Sequence, residues 1–354
     1  MTFTHSKVIT IFSPLPPSRC GIATYAGEHR LRLEEDGYQV RTISMLPDSE
    51  AETHIDLTSF RSCLKALVHA WQHADRCELI VHYSDGLFFP RQQLGPVSRR
   101  ICRLLHTQLL RTMAQRSSQS RLVIHEILTR TDLPWFNNWT RRFAFCTFDE
   151  IAFHTDSMRR QFLGRFPKIP REKTVLVEHT QFMLPHYRGS RNEARAELGL
   201  SACSTIFLCS GFLHRYKGFH DAVEAFSLIQ THSAAAELHL VGSLPPNQHE
   251  CQAYVDELAS LCANVPQVFL HQDYLDDCAF DRWLAAADVL VLPYLGVASS
   301  GVGARASLYD TRLIIRNLTN LVEQFPEAEI FATTAELRAL LERHSLERAE
   351  SQKA

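Results

Sequence analysis

The sequence predicts an α/β protein made of two doubly wound, Rossmann-like domains, and three observations carry that expectation. The chain has 354 residues, enough for two domains that each bury a core. Short β-rich runs alternate with longer stretches of helical periodicity, the pattern of a parallel sheet covered on both faces. The composition is ordinary for a globular protein, with 45% hydrophobic and 21% charged residues.

In the N-terminal half, strands are expected at Val8–Ser13, Tyr38–Ser44, Leu79–Tyr83, Leu122–His125, Ile151–His154 and Thr174–Val177. Helical patterns lie between them at Ile22–Glu35, Phe60–Ala74, Leu94–Met113 and Ser157–Phe166. From Leu184 to Ala202 the chain changes character, with Pro185, Gly189, Ser190 and the charged run Arg191–Glu197, and reads as an interdomain passage with one short helix. A second series follows, with strands at Thr205–Ser210, Glu237–Val241, Val268–His271, Val289–Pro293 and Leu313–Arg316. Its helices are expected at Gly218–Gln230, Glu250–Ala263, Ala279–Ala287, Gly301–Tyr309 and Thr334–Arg343. The domains expected are residues 1–184 and 185–343, followed by a polar tail at 344–354 without apolar periodicity. Tandem domains of this kind hold ligands in a cleft at the carboxyl ends of their strands.

The net charge of -2 gives no global attraction to nucleic acid. No apolar run is long enough for a transmembrane helix. The apolar stretch Val8–Phe12, closed by Pro14, is too short for a signal segment and reads as the first strand. Ten scattered cysteines without a Cys-x-x-Cys fit a reducing cytoplasm. His69 and His73 stand one helical turn apart without a third ligand, so no metal site is expected. Asp276-Asp277 before a helix reads as capping.

The segment from Phe207 to Phe226 reads as an apolar strand, a loop with Gly211, Arg215, Lys217 and Gly218, and an amphipathic helix. Glycine and cations delivered to a helix start suit a phosphate, because the N-terminal N–H groups and the helix dipole attract an anion. Read alone, the loop serves equally well as a solvated turn.

This loop resembles the diphosphate loop of retaining glycosyltransferases of the GT-B fold, in which two Rossmann-like domains face a central cleft. The nearest group is glycosyltransferase family 4. A second stretch, Ala287 to Gly303, is similar to relatives that read Leu-Pro-Tyr and then Ser-Gly-Val. The resemblance spans roughly Val8 to Arg343 and is strongest at Gly211–Phe226 and Asp288–Val302. It implies a cytoplasmic, retaining, metal-independent enzyme without a cofactor. Such an enzyme moves a sugar from a UDP- or GDP-sugar to a glycan or lipid-linked acceptor, as in polysaccharide biosynthesis. The C-terminal domain would take the donor and the N-terminal domain the acceptor, with room for peripheral contact with a membrane and none for nucleic acid.

Residue by residue, the resemblance implies donor contacts at Gly21 in the proline-rich first turn, and at Gly211, Arg215 and Lys217. It extends them to Ser300, Gly301 and Val302 at a helix start, to Arg305 in the first turn of that helix, and to Glu323. His125, with Glu126 beside it, takes the place of the strand-end histidine near the reaction centre. His82 and Asp85 fall on the acceptor or sugar side. Each has a plainer alternative: a core histidine, an N-cap serine, an arginine facing solvent.

Three departures stand out. Phe212 occupies the place where relatives carry an arginine. The glutamate that holds the nucleotide ribose in relatives falls near Ala306, and no acid lies between Gly301 and Tyr309. The glycines of the turn aligned with Asn317–Glu323 are absent. They leave open an inactive or regulatory homologue and, further off, a sugar-nucleotide epimerase.

Overall fold

The computed structural model describes residues 8–73, 77–88, 95–126, 134–229, 236–245 and 249–351. The chain divides between Met183 and Leu184 into two units. The first holds strands β1 (Val8–Phe12), β2 (Gln39–Ser44), β3 (Thr53–His54), β4 (Glu78–Ser84), β5 (Gln119–Glu126), β6 (Glu150–Phe153) and β7 (Thr174–Leu176). They form one parallel sheet in the order β3-β2-β1-β4-β5-β6-β7, with the switch point between β1 and β4. Its helices are α1 (Gly21–Glu35), α2 (Phe60–His73), α3 (Asp85–Phe88), α4 (Pro96–Arg116), α5 (Pro134–Phe145) and α6 (Asp156–Arg165).

The second unit opens with α7 (Arg191–Leu198) and continues with β8 (Thr205–Ser210), α8 (Phe219–Ser227), β9 (Ala236–Gly242), α9 (Gln252–Ala263), β10 (Val268–Gln272) and α10 (Asp277–Ala286). It closes with β11 (Val289–Leu292), α11 (Gly301–Ala306), β12 (Arg312–Arg316), α12 (Thr319–Gln324), β13 (Glu329–Phe331) and α13 (Thr334–Ser351). The sheet is parallel in the order β10-β9-β8-β11-β12-β13. In the second sheet the central strands β8 and β11 are buried along their whole length, as two-sided helical cover requires.

Local chemistry explains several boundaries. Ser190 and Glu193 form a capping box that starts α7, and Gly199 ends it in a left-handed conformation. Asp276 caps α10 by accepting from the Ala279 N–H, as its position suggested. The segment after Arg343, expected as a polar tail, instead continues α13 to Ser351. Its His344 is buried and lies 2.6 Å from Glu329 Oε1, so an internal polar contact takes the place of apolar periodicity.

Candidate functional site

Four adjacent strands of the first sheet carry a histidine near their carboxyl ends. His82 and His125 lie within the last three residues of β4 and β5, His154 directly follows β6, and His179 stands three residues past β7. Each lies two residues beyond an apolar core residue: Ile80, Val123, Ala152 and Val177. The period of two along a strand therefore puts all four rings on the sheet face that carries that core. Helix α1 lays Tyr25 and His29 over them. Tyr25 makes edge-on ring contacts with His82, His125, His154 and His179, at 5.1–5.4 Å between centroids.

The rings also bond to one another. His29 Nδ1 lies 3.3 Å from His82 Nε2, and His82 Nδ1 lies 3.0 Å from His125 Nε2. A neutral imidazole has one donor and one acceptor, so this chain runs in a single direction and fixes the tautomer of every member. Burial keeps the rings neutral. It pulls His29 down to about 3, helped by the Arg121 charge, and His154 to about 4. Burial, and then the neighbouring histidines, hold His82 and His125 well below the usual imidazole value.

These contacts reassign the residues expected on the acceptor or sugar side. His82 is 0% exposed and spends both ring nitrogens on His29 and His125, so it supports His125 and meets no substrate. Asp85 is 2% exposed and accepts two bonds from Arg141, at 2.8 and 2.6 Å, and a third from the Tyr83 hydroxyl. It is the anion of a buried ion pair. Glu126 is half-buried and accepts from Ser84 Oγ at 2.6 Å. Gly21 begins α1, where a β-carbon would meet nothing within 4 Å, and Cys20 before it makes no side-chain cap bond.

In the second unit, β8 ends at Ser210 and the chain turns at Gly211 with φ +123, a conformation that excludes a β-carbon. A β-carbon placed there would stand 3.6 Å from Val302 Cγ2 and 3.8 Å from Lys217 Nζ, so these three residues meet. Gly218 closes the loop with φ +67 and passes so near the Pro293 carbonyl that any side chain would collide with it. That approach docks the loop on the segment after β11, where the Leu295 N–H donates to the Tyr216 carbonyl at 2.7 Å. Tyr294, fully buried beneath, sets its ring 4.0 Å from Lys217 Nζ. Among the described residues Lys217 has no carboxylate partner and no side-chain hydrogen bond, and burial lowers its pKa. A half-buried ammonium on an aromatic face beside a glycine turn can attract an anion.

Other expected donor contacts are used internally. Arg305 is buried and paired with Asp281, itself 0% exposed and also bonded by Tyr309 Oη and the His186 N–H, so its charge is already matched. Arg215 turns outward to an exposed ion pair with Glu257, away from Lys217. Ser300 is buried as the N-cap of α11: its Oγ accepts from the Gly303 N–H at 3.1 Å and its own N–H donates to Gln324. Gly301 and Val302 remain half-exposed. Ala306 is fully buried, so no ribose contact starts from it. Glu323 is half-buried on α12, but the residue that reaches the site is its neighbour Gln324, whose amide clasps the N–H and carbonyl of Ser300 at 2.8 and 3.0 Å. Among the described residues no group of three or more His, Cys, Asp or Glu has metal-holding geometry.

Residues 204–323, which contain this loop and both its supports, match the family described as "Glycosyl transferases group 1". The match spans most of the second unit. The whole chain has the GT-B fold of solved glycosyltransferases. Anabaena HepE in complex with UDP and glucose superposes with a TM-score of 0.68 at 13% identity, over 96% of this chain and 92% of that one. Sucrose-phosphate synthase from Thermosynechococcus elongatus gives 0.63 at 16% identity over 98% and 94%. A UDP-forming trehalose-phosphate synthase from Burkholderia xenovorans gives 0.62 at 10% over 98% and 94%. No curated protein matches by sequence.

Proposed function

We propose that the protein is a retaining, metal-independent glycosyltransferase that moves a sugar from a UDP- or GDP-sugar to a glycan or lipid-linked acceptor in the cytoplasm. One observation carries the reading: Lys217 offers a half-buried cation, without a carboxylate partner among the described residues, at the glycine turn after β8. Such a cation neutralises a departing diphosphate as the anomeric carbon–oxygen bond breaks. The likeness to HepE, solved with UDP and glucose, supports a nucleoside diphosphate as the leaving group. The acceptor hydroxyl attacks from the face that the diphosphate leaves, and its proton passes to the departing phosphate oxygen. Residues 185–343 would hold the donor and residues 1–184 the acceptor. His125, oriented by His82, would touch the sugar with the nitrogen that His82 does not occupy. None of the ten cysteines is in a disulfide, which suits the cytoplasm.

A regulatory, non-transferring homologue is the second reading. It is favoured by the internal pairing of Arg305, Arg215 and Ser300. A thermal-shift screen of UDP, GDP and their sugars decides between them. We expect one nucleotide to raise the melting temperature and its sugar to give a glycoside of unchanged anomeric configuration by NMR. A shift without product in the presence of acceptors favours the regulatory reading, and no shift with any nucleotide removes both.

A further inference from the structure

Helices α2, α4 and α5 pack side by side, α2 on α4 and α4 on α5. Together they hold two, five and two Lys or Arg and no Asp or Glu, with Arg141 of α5 buried against Asp85 and so not on the outer face, in a chain whose acids otherwise outnumber its bases. Their outer faces are also apolar. On α2, Leu64, Val68 and Trp71 stand out at helical spacing, with Trp71 63% exposed. On α4, Val97 and Ile101 repeat the pattern, with Val97 69% exposed. On α5, Trp139 and Phe143 are exposed and stacked at 5.6 Å.

Arginines of α4 join these stripes into one surface. The Arg116 guanidinium lies 5.2 Å from the Trp71 ring centroid, and that of Arg111 lies 3.6 Å from the Phe143 centroid. Arg61 and Lys65 on α2, and Arg99 and Arg100 on α4, are exposed among the apolar positions. Leaving apolar and aromatic side chains together in water is unfavourable, and contiguous patches of them mark contact sites. Tryptophan beside arginine, with no acid across three helices, is the chemistry of an anionic bilayer surface. The rings enter the headgroup region and the cations meet lipid phosphates. No helix among the described residues is long and apolar enough to cross a membrane, so contact would be from one side.

We infer that the α2–α4–α5 face of the first unit docks on an anionic lipid surface. Vesicle binding does not depend on sugar transfer, so failure of one reading leaves the other standing. The test is co-flotation of the full chain with phosphatidylcholine vesicles, with and without phosphatidylglycerol. We expect binding to the anionic vesicles only, lost at high salt. The charge-reversed variant R99E/R100E should bind at least about tenfold more weakly, since each cation near the surface adds roughly a fivefold gain. The variant W71S/W139S should lose binding too. All four side chains are exposed, so thermal melts should match the parent chain. Equal binding to neutral and anionic vesicles, or none to either, overturns the inference. So does a dimer in sedimentation that W71S/W139S abolishes, because the face would then be covered by a second copy.

Discussion

The carboxyl ends of the two sheets treat their polar groups in opposite ways. At the end of the first sheet the charges are matched internally: Asp85 is closed against Arg141, and the neutral His29, His82 and His125 bond in series, while Tyr25 Oη, His154 Nε2 and His179 Nδ1 have no hydrogen-bond partner among the described residues. At the end of the second, two glycines clear the backbone and one cation is left on an aromatic ring. A charge matched inside the fold stabilises the fold, and a charge left unmatched at modest burial remains for a ligand. By that criterion Arg305 belongs with Arg141, Arg215 forms only a surface pair, and Lys217 stands apart.

The sharpest way to separate the two ends is acid. The unfolded chain takes up protons on its histidines below about pH 6.5, whereas the folded cluster refuses them until His154 charges near pH 4 and His29 near pH 3. Stability is therefore complete above about pH 6.5 and falls as the pH drops towards 4. From pH 7 to pH 5 each clustered histidine should cost roughly 2 kcal/mol, and together they rival the ~5–15 kcal/mol of a whole domain. Hydrogen exchange at pH 5 should show the first unit opening before the second. Protection unchanged from pH 7 would mean that the cluster is open to water.

A smaller effect comes from Asp85→Ala, which strands the buried Arg141 charge. We expect a loss of about 3–5 kcal/mol in urea unfolding. The double variant Asp85→Ala/Arg141→Met should recover part of it. A loss under about 1 kcal/mol would place Arg141 in contact with water.

The smallest effect is expected for Gln324→Ala, which releases Ser300 from its clasp. With a lost hydrogen bond worth about 1 kcal/mol, nucleotide affinity should fall roughly fivefold with little change in stability. An unchanged affinity would separate the start of α11 from the ligand.

The alternating strands were legible because buried parallel strands are near-continuous apolar runs, as at β8 and β11. Other elements were not. Thr53–His54 is a strand only because β2 offers it an edge. Helix α5 is rich in aromatic residues and Asn, which favour helix weakly, and its buried face with Ala144 and Phe145 holds it in place. The glycine–lysine loop could be read from spacing because its chemistry is local. The partners of Asp85, Arg305 and Ser300 could not, since each lies far along the chain. His82 and His125 are 43 residues apart, and only the sheet makes them neighbours. The sequence did carry a sign of that row, four expected strands each with a histidine near its end.

On our proposal, Lys217 is the cation kept for the diphosphate. Calorimetric titration of the parent chain and of Lys217→Met with UDP and GDP tests it most directly. A charge-assisted contact contributes about 1.5–3 kcal/mol, so the dissociation constant of whichever nucleotide binds should rise about 10- to 150-fold in a variant that stays folded. A folded Lys217→Met that binds the same nucleotide with unchanged affinity would contradict the account.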